Sequence, residues 1–128
     1  MKLLLDTHTF IWLDSDPIQL SDQAKSILQD PKNILLLSVV SIWEMQIKSQ
    51  LGKLQLGSPL ADIVSSQQHT NGIGVVPVVL SHVLVLETLP AHHKDPFDRL
   101  LISQAIIENA TLLSRDSVFA SYSVQVLW

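Results

Sequence analysis

The stretch Lys2-Leu3-Leu4-Leu5-Asp6-Thr7-His8-Thr9-Phe10-Ile11-Trp12-Leu13 passes from strand to helix across one acidic residue. Leu3 to Leu5 is a short apolar run of the kind a fully buried strand carries. Thr7 to Leu13 reads as a short helix, closed by the turn residues Asp14-Ser15-Asp16-Pro17. Asp6 stands at the junction, where it either caps the helix or offers a carboxylate at the end of a strand.

The same alternation continues along the chain. Ser21 is an N-cap for a helix to about Asp30, and Pro31 breaks it. Ile34 to Leu37 is a second strand, and Ser38 caps a helix through about Leu51. Gly52 and Gly57 mark a loop, and Ser58-Pro59 starts a helix through about His69 with proline at the first position. Gly74 to Val78 is a weaker strand, limited by Pro77. Ser81 to about Leu89 is helical, and Asp95-Pro96 opens a helix to about Asn109. Thr111 to Leu113 and Val124 to Leu127 are the last strands. Strands that alternate with helices imply an α/β fold, a mostly parallel sheet covered on both faces. In such sheets the ligand crevice lies beyond the carboxyl ends of the strands, where strand order reverses. Asp6 and Asp116 each follow a strand and belong at that edge.

Composition narrows the chemistry. The 128 residues are 47% hydrophobic, enough for one domain, residues 1–128, with a core that needs no staples. There is no cysteine, which excludes disulfides, thiolate metal sites and cysteine nucleophiles. The apolar opening is too short for a secretory segment, and no stretch approaches the roughly 20 apolar residues of a membrane span, so a cytoplasmic protein is expected. The net charge is −4, with no basic stripe to hold nucleic acid by phosphate contacts alone. Gly-x-x-x-x-Gly-Lys, Gly-x-Gly-x-x-Gly and Gly-x-Ser-x-Gly are all absent, leaving phosphate-loop, dinucleotide and serine-hydrolase readings without support.

Four acids invite a common explanation. Val40, Glu44, Ile47 and Leu51 fall on one helical stripe whose other members are apolar. A buried carboxylate there needs a partner, and Lys48 stands one turn away. Asp98 shares a face with Leu101, Ile102 and Ala105, at the third position of a helix capped by Asp95. Asp116 follows Leu112-Leu113-Ser114-Arg115 and doubles as a turn residue. Each acid alone has a capping, pairing or turn explanation; together they describe a cleft in which carboxylates repel and a hard divalent cation relieves them. Carboxylate donors favour Mg²⁺ or Mn²⁺ over zinc. His8 adjoins the site, and His92-His93, being adjacent, are no chelating pair. Trp12, Trp43 and Trp128 are expected as core or interface anchors rather than base-stacking platforms.

Leu5-Asp6-Thr7-His8, Ser38-Val39-Val40-Ser41-Ile42-Trp43-Glu44, His92-His93-Lys94-Asp95-Pro96-Phe97-Asp98-Arg99-Leu100-Leu101 and Ser114-Arg115-Asp116, in this order, resemble a PIN-domain ribonuclease of the VapC toxin type. The ending Tyr122 to Trp128 is similar too, so the resemblance covers essentially the whole length. It implies a three-layer α/β/α sandwich, an acidic pocket, Mg²⁺ or Mn²⁺ dependence and endonucleolytic cleavage of RNA. By position, Asp6, Glu44, Asp98 and Asp116 would be the acidic quartet, with Asp6 and Asp98 on the metal. Ser114 would accompany the last acid, and Ser41 would stand one turn before the glutamate. The resemblance also implies a small antitoxin partner and a homodimer. Other readings are a structure-specific DNA nuclease, an inert binding module and a receiver-type signalling domain. The last wants a second acid after the first strand, where Thr7 stands, and an aspartate at the end of the third, where Leu80-Ser81 stand.

Overall fold

A computed structural model describes residues 1–128. The chain runs β1 (Lys2–Leu5), α1 (Thr7–Ser15), α2 (Asp22–Gln29), β2 (Ile34–Ser38), α3 (Val39–Gln50), α4 (Leu60–Asn71), β3 (Gly74–Val76), α5 (Leu80–Val85), α6 (Pro96–Ile107), β4 (Thr111–Leu113) and β5 (Val126–Leu127). Short 3₁₀ turns cover Pro17–Gln19, Leu86–Thr88 and Ser117–Ser121.

The five strands form one sheet in the order β3-β2-β1-β4-β5. Every pairing is parallel, so the expectation of a mostly parallel sheet holds in its strictest form. The chain steps outward from β1 to β3, then crosses back to place β4 on the other side of β1. The order therefore reverses between β1 and β4, and the crevice rule points at the ends of those two strands.

Side-chain alternation along β1 divides the core between the two faces. Leu3 and Leu5 pack with Phe10, Ala24, Leu28, Leu35, Leu37, Met45 and Ile63. Leu4 packs oppositely, with Leu101, Ile102, Ala105, Leu112 and Phe119. Helices thus cover both faces, and the α/β/α sandwich is present.

Local differences from the sequence reading have local causes. Pro59 is the N-cap of α4 rather than its first residue: its ψ of 140° is not helical, and its carbonyl accepts from the Asp62 and Ile63 amides. β3 stops at Val76 because Pro77 has no amide hydrogen to extend the ladder. The expected helix from Ser81 to Leu89 begins one residue earlier and tightens into 3₁₀ geometry after Val85. The last strand pairs only at Val126 and Leu127. Leu51 ends the α3 stripe at 63% exposure, so the buried part of that stripe is its first half.

Arg99 ties the irregular segment before α6 to the body. Its guanidinium donates to the carbonyls of Leu86, Pro90 and His93 and to the Tyr122 hydroxyl, at 2.9 to 3.3 Å. Lysine keeps the charge and loses the planar fork. Arg99→Lys is expected to lower stability by about 1.5–3 kcal/mol and to speed amide hydrogen exchange across residues 86–93. Exchange and melting equal to those of the parent would remove this role from Arg99.

Candidate acidic active site

Asp6 directly follows β1, the central strand, and its backbone holds the reversal point: the Asp6 amide donates to the Leu113 carbonyl at 3.2 Å. Its side chain is buried. Oδ1 accepts from the Thr9 amide at 2.8 Å and lies 2.6 Å from the Thr9 hydroxyl. Oδ2 accepts from the Ser114 hydroxyl at 2.5 Å. The cap reading of Asp6 is therefore correct, and it leaves the carboxylate at the sheet edge rather than withdrawing it. Ser114 Oγ in turn accepts from the Asp116 amide at 3.0 Å. Asp116 itself is exposed and caps the following 3₁₀ turn through Val118. Asp6 and Asp116 line a common cavity of about 310 Å³ with His8, Trp12 and Arg115.

A second connection leads from Asp6 to α3 through its neighbour Thr7. The Thr7 hydroxyl donates to Glu44 Oε1 at 2.7 Å and lies 3.0 Å from the Ser41 hydroxyl. Glu44 is 7% exposed. Its other oxygen pairs with Lys48 at 2.8 Å. Pairing and burial coexist at Glu44, so the lysine makes the burial of this acid tolerable.

Asp98 sits at the third position of α6, where Asp95 Oδ1 caps the helix through the amides of Phe97 and Asp98. Burial drives its carboxyl pKa up to about 6, the His93 hydrogen bond opposes that, and the charges of Asp95 and Glu44 add to it. The electrostatic influence of Glu44 links α3 to α6 across the edge. Asp98 Oδ2 lies 2.8 Å from His93 Nε2, and His93, Asp95 and Asp98 bring three ligand atoms within 4.8 Å of one another. No three of Asp6, Glu44, Asp98 and Asp116 are gathered that closely. Two pairs result: Asp6 and Asp116 share a cavity, and Glu44 and Asp98 influence each other electrostatically.

The donor chemistry suits a hard divalent cation. The available ligands are carboxylate and hydroxyl oxygens with the imidazoles of His8 and His93, and desolvated Asp98, repelled by Asp95 and Glu44, gains from added positive charge.

Thr7, Thr9 and the His93–Asp98 bond did not emerge from the sequence reading. Thr7 precedes Phe10 and Ile11 by three and four residues, which puts it on the apolar face of α1, a signal that was available. The His93 contact depends on how the segment before α6 folds back, and no spacing rule reveals it. Trp12 and Trp128 are half-buried against the core as expected, but Trp12 also faces the cavity. Trp43 is 58% exposed and meets Phe97 edge to face.

The raised carboxyl of Asp98 has a stability consequence. The folded protein holds this proton more tightly than the unfolded chain does, so the contribution is fully present below about pH 4 and is lost as pH rises through about 6. Above that range ionised Asp98 is a standing cost. In metal-free protein, Asp98→Asn is expected to gain on the order of 1 kcal/mol at pH 8 after allowance for solvent screening, and almost nothing at pH 4. Thermal melting of both proteins across pH checks this; a difference independent of pH would show that the carboxyl is not desolvated.

Comparison with known proteins agrees with this architecture. The PIN domain profile matches residues 3–125. The chain is 26% identical to Ribonuclease VapC22 of Mycobacterium tuberculosis over 121 residues, 94% of this chain and 91% of that protein. Its fold is similar to that of a chain in the crystal structure of VapBC2 from Rickettsia felis bound to a DNA fragment from their promoter, with a TM-score of 0.74, 16% identity and coverage of 99% and 98% of the two chains. A toxin-antitoxin complex from Klebsiella pneumoniae holds another similar chain, with a TM-score of 0.62, 15% identity and coverage of 98% and 96%. With acids at the reversal point of an all-parallel sheet and a profile match over nearly its whole length, this chain belongs to the PIN domain family.

Proposed function

We propose that this protein is a Mg²⁺- or Mn²⁺-dependent endoribonuclease, the toxin of a cytoplasmic toxin-antitoxin pair. One observation carries the reading: Asp6 at the end of the central strand is hydrogen-bonded to Ser114 on one side, while its neighbour Thr7 is bonded to Glu44 on the other. These bonds tie the β1–α1 junction to α3 and to the end of β4, in a chain whose relative in Mycobacterium tuberculosis is named a ribonuclease, which supports the reading. No helix is long and apolar enough to cross a membrane.

In this reading Asp6 and Asp98 would hold the cation, and Glu44 and Asp116 would complete the acidic set. When bound, the cation supplies charge for a phosphate oxygen and a lowered pKa for its water. The protein's own work is orientation. Thr9 and Ser114 fix both oxygens of Asp6, and Thr7 and Lys48 fix both oxygens of Glu44. Ser41 sits beside Thr7 and limits where its hydroxyl points. Water would attack phosphorus in line and pass its proton to one of the carboxylates, while the bond from phosphorus to the leaving sugar oxygen breaks and that oxygen takes a proton from solvent. For partners, we propose a small antitoxin and a second copy of the chain. Support comes from exposed apolar side chains on α5 and α6, Leu80, Val83, Leu84, Ile106 and Ile107, and from the toxin-antitoxin complex that holds a similar fold.

Asparagine is as good an N-cap as aspartate. Asp6→Asn should therefore melt within a few degrees of the parent and cleave RNA at least about a hundredfold more slowly, about 2.7 kcal/mol of barrier. A variant cutting at the parent rate would refute the assignment of Asp6. Chelation should stop cleavage by the parent, and Mg²⁺ or Mn²⁺ should restore it. Expression alone should arrest growth, expression with the neighbouring small protein should not, and mapped RNA ends should appear only in the first case.

A further inference from the structure

Beside the acids lies a feature that the chemistry of cleavage does not use. The cavity shared by Asp6 and Asp116 is walled by His8, Trp12 and Arg115. At about 310 Å³ it is at the lower end of the size range of ligand sites, room for one nucleotide rather than a tract. His8 and Trp12 lie one helical turn apart on α1, with ring centroids 5.6 Å apart. Trp128 backs the indole at 5.8 Å, which fixes its orientation. The Arg115 guanidinium lies over the Trp12 ring, 4.4 Å from its centroid.

The state of Arg115 is the informative point. It lines the cavity with two carboxylates yet forms an ion pair with neither. Two other cations near the acids are committed: Lys48 pairs with Glu44, and Arg99 is occupied by three carbonyls and a hydroxyl. Arg115 and His8 are exposed, and no hydrogen bond within the protein engages either side chain. The guanidinium rests on the indole without an ion-pair partner, so a phosphate that draws it aside leaves the ring to a base, and a single-stranded nucleotide takes stacking from rings and donors from guanidinium groups. It also offers a phosphate contact in a chain of net charge −4 that has no basic stripe.

We infer that His8, Trp12 and Arg115 form a nucleotide subsite beside the acidic centre, with a base stacked against the His8–Trp12 pair and the neighbouring phosphate on Arg115. The inference rests on the ribonuclease reading and names the part of the substrate held nearest to Asp6. These are positioning residues, so their loss should weaken substrate binding rather than slow the chemical step.

The test uses full-length parent, His8→Ala, Arg115→Gln, Arg115→Lys and Trp12→Phe. Binding of a short, mixed-sequence, fluorescein-labelled oligoribonucleotide is measured in chelator, and cleavage of the same oligomer with Mn²⁺. His8→Ala and Arg115→Gln should each raise Kd and KM about tenfold, with kcat within about twofold. Arg115→Lys should recover part of the loss, because a point charge still meets phosphate. RNA should quench tryptophan fluorescence in the parent and much less in Trp12→Phe. Melting curves should be unchanged for the two exposed positions. If the parent binds and cuts RNA while all variants match it in Kd, KM and quenching, the subsite is overturned and the nuclease reading stands. A fall in kcat with KM unchanged also overturns it. If the parent binds RNA through these residues and never cuts it, the subsite stands and the nuclease reading falls.

Discussion

A charge removed from water must be met by donors, and at Asp6 that requirement organises the site. The carboxylate is buried at the end of the central strand, so leaving either oxygen unpaired would be costly. Thr9 meets one oxygen from within the first turn of α1. Ser114 meets the other from the far end of the sequence, 108 residues away. Satisfying one side chain therefore joins the first strand to the fourth and sets the geometry of both. The Thr9 hydroxyl also lies 2.9 Å from the Leu113 carbonyl, so backbone and carboxylate share the same small cluster.

Much of this was legible in the sequence because it depends on local chemistry. Apolar runs of three to five residues gave the strands, Ser21, Ser38 and Asp95 gave helix starts with the capping bonds the structure contains, and Asp6 and Asp116 stood where strands end. The Glu44–Lys48 pair follows from helical spacing alone. What escaped depends on contacts across long loops. How the segment from Leu86 to Asp95 folds back decides that His93 reaches Asp98, and the Arg99 fork and the His92 contact with Tyr122 help to fix that path. Proline misled in one place and helped in another: Pro59 stands outside α4, whereas Pro77 ends β3 as its missing donor requires.

The two halves of the acidic centre differ in electrostatic character. On the Asp6 side, donors already surround the carboxylate and hold it in one orientation. Near Asp98, burial and like charge are incompletely offset, and His93 is the main relief. The first half is preorganised and the second is under electrostatic tension.

The sheet itself ends in brief rims. Its outer strands are only three and two residues long, β3 cut short by Pro77 and β5 by the end of its pairing at Leu127. Unpaired backbone groups along a sheet margin are templates for runaway lateral association, and short margins offer few of them. A chain that is 47% hydrophobic thereby offers little template for growing into fibrils by strand addition.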